Sequence, residues 1–336
     1  MNHSRELNIV KAICIILMVI GHCDAPAGVT GFVYLFHMPA FFFVSGYLLK
    51  DKYFQEPWTF IKRRIGSLYV PYVFWELLFL ALSGVFFRLH ITDVQLTSRE
   101  MLDCAVKYVT LRGHQPLLNG FWFLKTLFFA SIACLFLLRW IKRRRWIIVA
   151  GMLLLAGLCR LVPADTTMIS RLFMACAFYV TGFLFSKRGG VNISVWKSIA
   201  AILAVAVISL FWRQSIFVDG WEVALYYPVA MLGTLAVFGF ARAINRVDAS
   251  ARFLDFVGDS TLTILTFHFL SFKLVGLVVI WLRGLPIERL AEFPVIHDGI
   301  LFTWPLYALV GVLFPLLVAF IRQRFFPERR GVVKLF

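Results

Sequence analysis

The chain has 336 residues, 61% of them hydrophobic and 15% charged, and a formal net charge of +16. Ordinary soluble domains carry about 25% charged residues, so this composition excludes a soluble globular core. The apolar residues fall instead in blocks of about 18–24, the length a helix needs to cross a bilayer.

Ten spans are predicted. The first, 6–23, holds "KAICIILMVIGHCD", in which Lys11 and His22 enclose ten uncharged residues. Eleven steps of about 100° return the two to one stripe, about 16 Å apart along the axis, with Asn8 a turn earlier. Ionisable groups inside a membrane face a bundle interior or a wet cavity, so the pair can line one passage without touching. The alternative is that Lys11 snorkels to the inner headgroups and His22 caps the outer end.

The second span, 31–49, opens near His37 and Pro39, and its Ser45-Gly46 pair suits close helix packing. The basic Lys62-Arg63-Arg64 leads into the third, 66–88, which carries Pro71 and Glu76. A carboxylate in hydrocarbon is costly, so Glu76 is expected to face the bundle and pair with Lys11, Lys125 or His22. An outer connection, 89–120, places Met101, Ala105, Tyr108 and Val109 on one helical face and is expected to lie along the membrane surface. The fourth span, 121–138, contains Trp122 and Lys125; spans at 146–163, 168–186, 196–212 and 221–241 follow. The ninth, 259–281, carries a polar stripe of Ser260, Thr263 and Thr266 and then His268. An outer segment, 283–298, is broken by Pro286 and Pro294, and a last span, 299–321, precedes a short basic tail.

With the N-terminus inside, 22 of the 34 lysines and arginines fall in inner connections and 9 in outer ones, the margins of the adjoining spans included. The positive-inside rule therefore reads N-in and C-in, and the inner cations are also available to anionic lipid or a cytoplasmic phosphate ligand. The charge is a topology signal and not a nucleic-acid footprint. Six scattered cysteines show no CxxC or Cys/His ligand spacing, which supports buried thiols and neither a disulfide framework nor a metal site. "DAPAG" after the first span has a formal A-x-A, but Lys11 interrupts the apolar run and the segment is expected to be retained. No internal repeat is evident. The expected architecture is an all-α, polytopic helical bundle of about ten transmembrane helices. It forms one membrane-embedded domain, 1–336, with no appended soluble domain.

Several segments resemble one family. "RELNIVKAICIILMVIGH" is similar to the first helix of the acyltransferase-3 membrane proteins, marked by Arg or Lys, ten residues, then His. "FHMPAFFFVSGYLL" resembles the second helix, "KRRIGSLYVPY" the basic loop and proline of the third, "FWFLKTLFF" a Trp-Phe-Leu segment, and "VGDSTLTILTFH" a Gly-x-x-Ser…His helix. The matches run in order through most of the chain. Size resembles the stand-alone glycan O-acetyltransferases, including the fucose O-acetylase-like group. Asn8 stands where many members carry Asp, and Lys11 where Arg is commoner.

The resemblance implies acetyl-CoA in the cytoplasm as donor, a hydroxyl of a cell-surface glycan or lipid-linked sugar as acceptor, and a bacterial inner membrane as the site. An alcohol needs a base as it attacks a thioester; His22 is the expected base or transient acyl carrier, a role that needs the neutral imidazole. Lys11 is expected to hold the pantetheine arm or a phosphate, and Lys62, Arg63 and Arg64 to grip CoA phosphates, as guanidinium does bidentately. Lys125 is expected in a buried pair or on the donor, and Trp122 in an aromatic belt or stacked on adenine or sugar. His37 and His268 are candidates for acceptor positioning, and Glu76 for orienting the catalytic histidine. A transporter or flippase for a glycolipid or polysaccharide is the competing reading, since buried charges also suit a substrate path.

Overall fold

The computed structural model describes residues 3–297 and 303–325. The start of the predicted tenth span and most of the basic tail lie outside the described residues. Among those described, all regular structure is helical, as a bilayer requires of a chain that must satisfy its backbone polar groups internally.

In chain order the α-helices are α1 (His3–Gly21), α2 (Ala27–Tyr34), α3 (His37–Tyr47), α4 (Lys52–Gln55), α5 (Pro57–Arg64), α6 (Val70–Ala81), α7 (Ser83–Arg88) and α8 (Ser98–Val109). They continue with α9 (Trp122–Trp140), α10 (Trp146–Leu158), α11 (Thr167–Lys187), α12 (Val195–Phe211), α13 (Glu222–Ile244), α14 (Asp248–Asp259), α15 (Thr261–Arg283) and α16 (Trp304–Phe325). Among the described residues, six stretches are long and apolar enough to cross a membrane: 27–47, 116–140, 167–187, 222–244, 261–283 and 304–325. The other predicted spans map to α1, to the broken run of α6 and α7, and to the shorter apolar helices α10 and α12. Many large apolar side chains on these helices point outward, among them Leu154, Phe211, Trp281 and Leu313, as a lipid-facing surface demands.

The breaks have local causes. A π-helical turn, Ile65–Tyr69, precedes Pro71; proline lacks the N–H that would continue the i→i−4 ladder, and a wider turn absorbs the defect. α1 ends at Gly21, one residue before the predicted stripe reaches His22. The His22 N–H bonds back to Val19 O, an i→i−3 closure that tightens the last turn, and Asp24 follows at φ 59°.

The helices divide into two compact units. The first contains residues up to Met18, Ala27–Arg63 and Thr126–Asp259. Its centre is the pair α3 and α11, which touch backbone to backbone. A Cβ at Gly46 would lie 1.8 Å from Tyr179 O, and one at Gly182 would lie 2.0 Å from Phe43 O. Without a hydrophobic drive between helices in lipid, close packing at small residues holds them together, so Gly46 does what its sequence context predicted. Phe43, Tyr47 and Phe238 interlock beside this contact. At the chain's start, Asn8 donates to Asp255 and Asp259, and Arg5 pairs with Asp248, which ties α14 to α1.

The second unit contains Val19–Pro26, Arg64–Lys125 and the chain from Ser260 onward. α15 and α16 form its longest packed pair, with Phe272 edge-on to Tyr307 and Gly311 leaving room for Phe272 and Val19. Trp75 and Phe79 of α6 meet Phe267 of α15. α8 carries a capping box between Thr97 and Glu100 and packs on α6, with Tyr108 buried and Tyr69 donating to Val109 O. Here the structure divides the predicted face. The face with Met101, Ala105 and Tyr108 is covered by protein, and Val109 is exposed. The side left open carries Leu102, Val106 and Val109.

Candidate active site

In the second unit two imidazoles come together. The rings of His22 and His268 are 5.6 Å apart, centroid to centroid, tilted by 32°. Phe269 contacts both, at 5.1 Å from His22 and 4.0 Å from His268. His268 sits in the second turn of α15, fully buried. Its Nδ1 lies 3.1 Å from Ile264 O and 3.0 Å from Leu265 O. Carbonyl oxygens only accept, so Nδ1 carries the proton and the neutral ring is the Nδ1–H tautomer. The lone pair is then on Nε2, which is buried and has no hydrogen-bond partner. The helix's own backbone thus presents a base whose active nitrogen is set by geometry.

The segment 113–121 approaches these rings. It contains a 3-10 turn, Pro116–Phe121, packed on α15. A Cβ at Gly120 would lie 2.8 Å from Leu265 Cδ1 and 3.7 Å from His268 Cε1, so a small residue here lets the turn sit close to the imidazole.

Polar side chains from α6 and α9 fix the same segment. Glu76 is fully buried, and its Oε2 accepts the Gln115 N–H at 2.6 Å while Oε1 is buried without a partner. Tyr72, one turn earlier, donates its hydroxyl to Gly113 O. Lys125, in the first turn of α9, donates to the same carbonyl at 3.1 Å and lies 5.9 Å from the Tyr72 ring. His114 Nε2 donates to Asn119 Oδ1 at 2.9 Å. The expected pairing of Glu76 therefore takes another form: its hydrogen-bond partner among the described residues is a backbone N–H, and Lys125 acts on it electrostatically. Buried backbone groups in an irregular segment must be satisfied, and α6 and α9 supply what regular structure does not.

A further strap, 284–297, covers this region. Lys273 donates to Leu290 O at 2.8 Å and Glu292 O at 2.6 Å. Arg289 clasps Glu292, whose Oε2 also accepts the His297 N–H; His297 reaches Asp24, two residues beyond His22. The Arg289 guanidinium holds the Glu292 carboxyl below the usual carboxylate range. Phe293 packs on Phe269 at 4.7 Å.

The remaining predicted residues divide between the two units. Trp122 opens α9 in this unit, half-buried against Phe123. Arg64 also belongs here, half-buried. Lys11, His37, Lys62 and Arg63 belong to the first unit. Lys11 is half-buried on α1, His37 is buried at the start of α3 with Nδ1 bonded to Val33 O at 2.8 Å, and Lys62 and Arg63 are exposed on α5. Tyr72, Gly113, Gln115, Gly120 and Lys273 were missed by sequence reasoning. The signal for the segment was the cluster "RGHQPLLNG", whose Gly, Pro and Asn-Gly mark irregular backbone beside a span.

Comparison with known proteins gives a family for this arrangement. The acyltransferase-3 family, described as an acyltransferase domain, matches residues 4–322. The chain is also 26% identical over 211 residues to nodulation protein NolL of Mesorhizobium japonicum, a match covering 58% of this chain and 52% of that protein. The chain thus spans about half the length of that relative. No solved structure matches it.

Proposed function

The chain belongs to the acyltransferase-3 family, and on that premise we propose that it is a multi-pass O-acetyltransferase of a bacterial inner membrane. It transfers an acetyl group from cytoplasmic acetyl-CoA to a hydroxyl of a cell-surface glycan or lipid-linked sugar. The observation that carries the reading is the unpartnered Nε2 of buried His268 beside the His22 ring.

The acceptor O–H gives its proton to an imidazole nitrogen as its oxygen attacks the thioester carbonyl. The C–S bond then breaks, and the thiolate of CoA takes that proton back, leaving an O-acetyl ester and free CoA. His22 serves as this base or carries the acetyl group transiently, and His268 holds the acceptor hydroxyl or relays the proton through Nε2. Glu76, Tyr72 and Lys125 are positioning residues that hold 113–120 in place. Lys11, Lys62, Arg63 and Arg64 are assigned to the donor's phosphates and pantetheine arm, Trp122 to an adenine or sugar face, and His37 to the acceptor. A strap over the histidine pair keeps water from taking the acetyl group.

The test is transfer of labelled acetyl from acetyl-CoA by purified protein in lipid nanodiscs to a panel of sugar acceptors. Donor-dependent labelling that is lost in His22→Ala, with folding intact, is expected. Acceptor passage across proteoliposomes with no donor, and no labelled product, would overturn the proposal.

A further inference from the structure

A separate cavity of about 670 Å³ lies in the first unit, lined among others by Asp51, Phe54, Arg139, Lys142, Arg145 and Lys187. From this cavity we infer a binding site for a ligand that carries two or more neighbouring phosphate groups. The inference stands on the cavity and does not depend on acetyl transfer.

Three different connections supply its charge: the turn after α3, the link between α9 and α10, and the end of α11. All three are inner connections by the distribution of lysine and arginine, so the cavity faces the cytoplasm. Four cations surround one acid, Asp51, which is engaged by Lys187 at 2.5 Å. A volume of several hundred Å³ suits a nucleotide-sized ligand.

Arg145 is the informative residue. Its guanidinium lies 5.5 Å from the Phe54 ring and 5.2 Å from the Phe183 ring, and its Nε is buried without a partner. One guanidinium nitrogen makes a long hydrogen bond, 3.5 Å to Leu138 O. The aromatic rings hold the guanidinium plane while leaving donors for a planar or tetrahedral anion. Topology alone would leave such cations in water. Helix-dipole compensation covers Arg139 and Lys187, which stand at the ends of α9 and α11, but Arg145 is the N-cap of α10, where a cation opposes the dipole. An arginine held against that preference, half-buried and short of acceptors, fits a site completed by an anion. Phosphates meet the requirement because each offers several charged oxygens to neighbouring donors.

Two sources share this chemistry: the bisphosphorylated nucleotide end of a coenzyme, and a phosphorylated lipid headgroup. The test uses full-length protein in zwitterionic nanodiscs, titrated with adenosine 3′,5′-bisphosphate and with pyrophosphate. In parallel, native mass spectrometry follows retention of cardiolipin, whose headgroup carries two phosphates. Arg145→Gln and the exposed Lys142→Gln are compared with the unaltered chain after thermal midpoints are matched. The expected result is binding of at least one probe that weakens tenfold or more in the variants and falls steeply with salt. Binding of the bisphosphate identifies a soluble ligand; variant-sensitive retention of lipid alone identifies a headgroup. Binding unchanged in both variants, or none of the three probes bound, overturns the inference. His268→Asn keeps the binding whatever it does to acetyl transfer.

Discussion

His22 and His268 face each other with ring centroids 5.6 Å apart, and the α15 backbone decides which nitrogen of His268 is basic. His268→Asn keeps a donor for the helix carbonyls and removes Nε2. Acetyl transfer should fall about 10²–10⁴-fold, the usual size of a general acid–base contribution, with the thermal midpoint unchanged. Wild-type turnover in this variant would take His268 out of the chemistry.

Glu76 acts through the Gln115 N–H. Glu76→Ala strands that buried donor, at a cost of about 1–3 kcal/mol, and should lower both the melting temperature and activity. Glu76→Gln retains an acceptor and should keep most of both. A glutamine variant as impaired as alanine would mean that the negative charge matters more than the hydrogen bond.

Gly120 brings the 116–121 turn against α15. A single methyl meets the flexible end of Leu265 at 2.8 Å, so Gly120→Ala should be mild. Gly120→Val should push the turn away from His268, with activity falling at least tenfold while the protein still folds. Equal activity in the two variants would show that the turn's approach is not needed.

Gly46 and Gly182 meet backbone oxygens, which cannot rotate aside. Either glycine changed to alanine should destabilise by more than the usual overpacking range of about 1–3 kcal/mol, seen as loss of monodisperse protein on detergent gel filtration. Normal yield and melting in Gly182→Ala would contradict the backbone contact between α3 and α11.

The strap should be insensitive to mild acid. Because Arg289 lowers the Glu292 carboxyl, its contribution is complete above the ordinary carboxylate value of about 4.3 and is lost as pH falls through the lower folded value. Hydrogen exchange at the His297 amide should stay slow at pH 5 and accelerate in stronger acid. In Glu292→Gln that acid step should vanish.

The apolar periodicity and charge asymmetry were enough to read a helical membrane protein, and the ordered motifs were enough to read its family. Gly46 was legible because a small residue in an apolar helix has few other uses. His22 was legible as a residue, but the end of α1 one residue before it was not, because that end is set by backbone closure at Val19 and the turn at Asp24. The partner of Glu76 could not be found by pairing charges, since the atom it holds is a backbone N–H and carries no side-chain signature. Which apolar side of α8 meets protein could not be read from the sequence, because only packing against α6 decides it.

The Gly113 carbonyl already receives Tyr72 and Lys125, whereas Glu76 Oε1 and His268 Nε2 lack donors. Groups brought against these two atoms would meet lone pairs without a hydrogen. Alcohols and amines can satisfy them; ethers and ketones cannot. Discrimination among acceptors would thus begin with which molecules bring a proton, before any question of sugar shape arises.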